Sequence, residues 1–199
     1  MPDRRAPLLL VIPLVALLAG CVPTTETAAS PSPSASGSSS PSAPAPSEPS
    51  NDPVEEEPTQ PLVIRCDELV SRQDMYEYSP QFALLDSFTP DSGSLAAEAV
   101  GLDGVACRWV NETSGETIDI SAAQLLSPAL TEKRSQLSST STPVPTFGDE
   151  GYFDRPGDTG TAQVVSGPYW ITAVSSAFFE AGDAAPLLEV AVGVLGQTG

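Results

Sequence analysis

The 199-residue chain has no histidine and one lysine, Lys133. Without histidine there is no Ser-His-Asp or Cys-His nucleophile, no zinc-peptidase helix motif and no imidazole proton shuttle. The residue three before Lys133 is Leu130, so the Ser-x-x-Lys pattern of penicillin-binding enzymes is missing too. No Gly-x-Ser-x-Gly elbow, phosphate-cradling P-loop or dinucleotide fingerprint occurs, and no cofactor is implied. Basic residues are scarce: eight Lys and Arg face 26 Asp and Glu, a formal charge of −18. Such a chain repels phosphate backbones and anionic headgroups, which excludes a nucleic-acid partner. The apolar run from Ala6 to Leu18 falls short of the roughly 20 residues that a spanning helix needs.

What that run does offer is a leader. Asp3, Arg4 and Arg5 precede it and small residues end it, the pattern of a secretory signal peptide over residues 1–20. Leu18-Ala19-Gly20-Cys21 then has the form of a bacterial lipobox, with Cys21 as the lipidation site. Each buried acyl methylene contributes about 0.8 kcal/mol, so two chains hold a protein durably where one does not. The expected location is the extracytoplasmic face of the cell membrane, with the lipid anchor as the membrane contact.

Residues 21–61 read as the lipidated cysteine and its tether. Val22 to Pro61 has no aromatic residue, no Lys or Arg, and half of it is Ser and Pro. It cannot bury enough apolar surface to offset its ordering entropy, so disorder is expected, biased toward polyproline II. Its reach is roughly 35 Å as a coil and roughly 120 Å fully extended. Glu55, Glu56 and Glu57 make its far end acidic, as a solvated linker or, less simply, an acidic docking motif.

Residues 62–199 suit one domain with its own core. Only Cys66 and Cys107 remain there, and outside the cytoplasm two such cysteines usually pair. Two free thiols or a partial metal site are the alternatives; with no histidine, two thiolates make a poor zinc site. A helix opens at Asp67 and Glu68, with Leu69, Val70 and Tyr76 on one side. Val105–Val110 and Thr117–Ala122 read as a hairpin turning over Asn111–Glu116. Ser127 caps a helix with Pro128 at its first position and Leu130 and Leu137 on one face. The stretch 142–160 is too rich in Pro and Gly for more than one short strand. A second hairpin turns at Ser166-Gly167-Pro168. In the last segment, Ala184, Leu187, Leu188, Ala191 and Leu195 fit a helical stripe capped by Asp183, while Leu188, Val190, Val192 and Val194 alternate as in a strand; helix is the reading adopted. The sum is an α+β domain, an antiparallel sheet built from two hairpins with helices packed on it and one disulfide.

The lipobox, the tether, "CDELV", "CRW", "FGDEGYF" and "YWITAV" together resemble a group of actinobacterial lipoproteins of unknown function. Their extracytoplasmic domains are similar to the sensor domain of a mycobacterial transmembrane serine/threonine kinase. The resemblance covers most of residues 62–199. It implies a Cys66–Cys107 bridge with Trp109 beside it and a structural turn at Gly148-Asp149-Glu150. The kinase-type domains carry a second disulfide, for which this sequence has no cysteines, and the family supplies no catalytic site to transfer.

Three sets of residues are candidates for chemistry. Trp109 and Trp170 sit in comparable places in the two hairpins, as ligand-stacking platforms or as core. Asp149, Glu150, Asp154 and Asp158 form the densest acid cluster, weak calcium ligands whose spacing departs from the EF-hand pattern. Asn111-Glu112-Thr113 matches a glycosylation sequon or is only a hairpin turn. The function expected is therefore a non-enzymatic lipoprotein binding a small envelope-derived ligand or an envelope protein, in a sensor or accessory role. A carboxylate-dependent cell-wall glycan hydrolase and a structural subunit of an envelope complex are the alternatives.

Overall fold

The computed structural model describes residues 58–197. The expected signal peptide, Cys21 and most of the tether lie outside the described residues. Twelve elements follow in order: β1 (Thr59–Gln60), α1 (Cys66–Leu69), α2 (Arg72–Tyr78), β2 (Phe82–Leu84), α3 (Leu95–Gly101), β3 (Val105–Asn111), β4 (Thr117–Leu125), α4 (Ser127–Thr140), β5 (Glu150–Asp154), β6 (Gly160–Ser166), β7 (Tyr169–Ser175) and α5 (Ala181–Leu195). The strands make one antiparallel sheet in the order β2-β3-β4-β7-β6-β5, with β1 also on β4. The sheet is thus larger than two hairpins. No helix among the described residues is long and apolar enough to cross a membrane.

Alternation along the strands gives the sheet two faces with different cover. On the first, Trp109, Ile118, Ile120, Ala122, Val164 and Ile171 pack against Leu69 and Val70 near α1, Met75 of α2 and the stripe Ala184, Leu187, Leu188, Ala191 and Leu195 of α5. That stripe is the one the helical period predicts, and it decides the ambiguous last segment in favour of helix. The Cys66–Cys107 disulfide ties α1 to β3 on the same face, with Cα atoms 5.5 Å apart. Trp109 stands two residues from Cys107, on the same side of its strand.

On the second face, Ala123, Leu125, Val165, Trp170 and Tyr152 pack against Ala99 of α3 and Leu137 of α4, with Leu130 half-buried at the margin. Gly104 sets how closely α3 lies on the sheet. A Cβ there would stand 2.2 Å from the Ala122 carbonyl oxygen and 2.7 Å from that of Ala99.

Several expectations need correcting. The helix after Cys66 breaks at Val70–Ser71, where Ser71 and Asp74 form a new capping box, so α2 restarts the register. Met75 is consequently buried, and Tyr76, expected on the packed side, is 62% exposed. Leu126 occupies the cap position of α4 and Ser127 is its first helical residue. Asp183 is not the cap of α5 but the third residue of its box, accepting from the Phe179 and Glu180 amides. Thr59 and Gln60, assigned to the tether, pair with Leu125 and Gln124, so the folded part begins before residue 62. β2 and α3 were not anticipated.

Candidate functional site

The second face carries a polarity gradient along the strands. Register partners across β4, β7 and β6 form lateral rows. The apolar row is Ala123, Trp170 and Val165, and α3 and α4 cover it. The next is Ser121, Thr172 and Gln163. The third runs Arg108, Asp119, Val174, Thr161 and Asp154 across five strands. Helical cover stops short of this charged row. The start of α3, the end of α4 at Thr140 and the Arg155–Pro156 turn border a groove of about 720 Å³ over it. That volume is within the range of small-ligand sites, roughly 300–1,000 Å³.

The floor is polar yet fixed. Arg108 donates through Nε and Nη2 to the two oxygens of Asp119, at 2.6 and 2.7 Å, and Phe88 stacks on the guanidinium at 4.1 Å. The hydrogen bond to Asp119 raises the Arg108 pKa despite its partial burial. Ser121 and Thr172, both buried, share a hydroxyl hydrogen bond of 2.7 Å. Gln163 is 8% exposed and accepts through Oε1 from Trp170 Nε1 at 3.2 Å. Gln163 also lines the groove. At the rim, Asp154 accepts from the amide and hydroxyl of Thr142, both at 3.0 Å. Arg155 donates to the Phe178 carbonyl at 3.1 Å and lies over the Phe179 ring at 4.7 Å.

A second cavity, about 710 Å³, opens at the edge of the first face between α2 and the start of α5. Asp74, Glu77, Glu116 and Asp183 line it beside Tyr78 and Phe82. Asp74 and Asp183 already serve as capping residues, and Glu77 accepts from Gln73 at 2.8 Å. Burial, then Asp183, raises the Tyr78 pKa.

Neither tryptophan is a platform for a ligand. Trp109 is 1% and Trp170 0% exposed, on opposite faces of the sheet, so the ligand-stacking expectation is corrected to a core role for both. The four calcium candidates are dispersed as well. Asp149 accepts from Ser166 and Gly167 in the β6–β7 turn, Glu150 accepts from Tyr152 and forms an ion pair with Arg134, and Asp154 accepts from Thr142. Asp158 is exposed and meets Arg155 only through its backbone carbonyl. No cluster of three or more His, Cys, Asp or Glu suited to a metal occurs among the described residues. At the sequon, Asn111 Oδ1 accepts from the Thr113 and Ser114 amides at 2.9 and 3.0 Å, which makes that side chain part of the hairpin turn. Gly148 has φ +51° and β5 starts at Glu150, as a turn before a strand requires. The groove itself escaped sequence reasoning, because its floor comes from four strands paired in an order the chain does not spell out. The one local signal was the run of polar residues Asp119, Ser121, Thr161, Gln163 and Thr172 alternating with apolar ones.

Comparison of the chain with protein-family models, with curated proteins and with solved structures returns no match.

Proposed function

We propose that the protein is a lipid-anchored, extracytoplasmic lipoprotein that binds a small envelope-derived ligand without transforming it, in a sensor or accessory role. Cys21 holds it to the membrane, the Ser/Pro segment sets its reach, and the groove on the second sheet face receives the ligand. The observation that carries this reading is a groove of about 720 Å³ over the second sheet face, whose floor places Asp119, Thr161 and Gln163 beside Val174 where no helix covers the sheet. A cavity of that size with a few convergent polar groups on a rigid sheet is the usual form of a small-ligand site. In this reading the hairpins β3–β4 and β6–β7 are the two arms that present the floor.

Glycan hydrolysis fits the groove less well. Its two acids, Asp119 and Asp154, stand three strand spacings apart in one row. That is about 14 Å, beyond the roughly 5–9.5 Å over which paired carboxyls work on a glycosidic bond. Both are also held, Asp119 by Arg108 and Asp154 by Thr142.

Native mass spectrometry of the full chain, extracted from a related host, tests the proposal. A displaceable adduct on the intact chain is the expected result. A bare protein that crosslinks to one dominant envelope protein in cells would replace ligand binding with a structural role.

A further inference from the structure

We propose that a trough on the first sheet face, at the end where the chain enters the described fold, seats the acyl chain of an envelope lipid. The site is separate from the groove and does not depend on it. The choice of a lipid as partner rests on Cys21 carrying the anchor, as proposed above.

Two hollows of about 380 and 270 Å³ share Gln124 and Tyr169 as lining. Those two residues are register partners, and Gln60 and Ser166 extend their row to either side. Residues 61–64 and Val194 wall the first hollow, while the Ser166–Pro168 turn, Val192 and Leu195 wall the second. The trough thus opens where α5 runs out. Its walls are aliphatic yet reach water: Val63 is 96% exposed, and Leu62, Ile64, Val192 and Val194 are half-buried. Among the described residues Glu68 is the one charged side chain in the lining, and Arg65 pairs with it at 3.2 Å.

Hydrocarbon is the partner that this lining fits. The chain has a net charge of −18, and three charged side chains line the groove and four the cavity beside α2, against the single paired carboxylate here. A peptide would bring backbone N–H and C=O groups that need partners. Gln124 already donates to Gln60 at 2.9 Å, and Glu68 is held by Arg65. An acyl chain brings no such groups and gains by leaving water. Two small joined hollows also suit a linear occupant better than a compact one.

The path of the chain puts such a partner within reach. Residues 61–64 form a wall of the trough, and Thr59 and Gln60 pair with Leu125 and Gln124 beside it. Pro58 stands 37 positions after Cys21, a length that spans roughly 35 Å as a coil. A leaflet holding the Cys21 lipid therefore offers its acyl chains over a distance that this segment covers.

The test uses the full chain bearing Cys21→Ser, free of detergent and of acyl groups of its own. It is titrated with 1-palmitoyl-lysophosphatidylcholine below the micellar concentration, with affinity read by calorimetry and location by carbene footprinting of side chains. The expected result is binding that glycerophosphocholine, the same headgroup without a chain, does not show, with shielding of Val63, Val192 and Val194. Each methylene removed from the probe should weaken binding about two- to fourfold, the upper figure being that of a fully buried methylene. Val194→Asp puts a charge into the wall and should weaken binding at least about tenfold. Val63→Asp, at the exposed rim, is the second variant if Val194→Asp does not fold. No binding, or binding indifferent to chain length, overturns the acyl assignment. Shielding at Phe179 or over the second-face groove instead overturns the trough as the site. Shielding of Val63 and Val192 that grows with protein concentration in the absence of lipid gives the trough to a second copy of the chain and overturns the proposal. The intact mass of the native chain reports the lipid on Cys21, so failure of the anchor reading is seen separately from failure of the trough.

Discussion

The ammonium of Lys133 lies 4.0 Å from the ring centre of Trp170, so the chain's single lysine roofs a fully buried indole. The same nitrogen pairs with Glu98 of α3 and donates to Gln136 at 3.2 Å, which fastens α3 and α4 together over the apolar row. Lys133→Ala removes a cation held against an aromatic face in a largely dry site and should cost about 2 kcal/mol. Lys133→Met, which retains the apolar stem, should recover part of that. Urea unfolding followed by tryptophan fluorescence measures both; a wild-type midpoint in Lys133→Ala would remove the contact from the stabilising set.

The disulfide joins residues 41 apart in sequence. Closing a loop of that length contributes about 4 kcal/mol by chain entropy. Cys66→Ser with Cys107→Ser, or reduction of the native chain, should therefore lower the unfolding midpoint markedly. A reductant-insensitive midpoint is the contrary outcome.

Alkaline pH should weaken the fold through Tyr152. Its pKa is pushed up to about 12, chiefly by the hydrogen bond to Glu150 and then by burial. An unfolded tyrosine titrates near ~10, so the folded chain holds this proton more tightly. The stability so gained is complete below pH ~10 and is lost as pH climbs through about 12. Tyr152→Phe should flatten the stability profile over that window and remove one late-titrating phenol from the tyrosinate absorbance curve. An unchanged profile would sink the assignment.

Millimolar calcium should leave the melting temperature where it is. The four acids once grouped by sequence are bound to different partners at different places along β5 and its flanking turns. A calcium-dependent rise abolished by Asp154→Asn would show that the loop can gather them.

Gly104→Ala should loosen α3 from the sheet, because the added methyl collides with two backbone carbonyl oxygens that cannot swing aside. Overpacking of this kind typically costs about 1–3 kcal/mol, and thermal unfolding reads it directly. No change would mean that α3 shifts freely.

Local chemistry was legible wherever a signal lies within one element. The α5 stripe, the strands around Asn111–Glu116 and the Gly167 turn follow from period and turn residues alone. α3 went unseen because its seven residues are too few for a periodic stripe, although Ser94 caps them by accepting from the Ala97 amide at 3.1 Å. The break at Ser71 went unseen because the box Ser71–Asp74 is only four residues long and sits between apolar side chains that suggest continuity.

The amino-acid sequence by itself determined the compartment expected for this protein, its lack of histidine-based catalysis, its charge and the two cysteines available to pair. Those properties depend on which residues are present and on spacings of a few positions. The tertiary structure alone decided that both tryptophans are core, that the loop acids never meet and that Asp119, Val174, Thr161 and Gln163 share one floor. The reason is the sheet order: β4 pairs with β7 across some fifty residues of chain, and only that long-range register sets which polar side chains stand side by side.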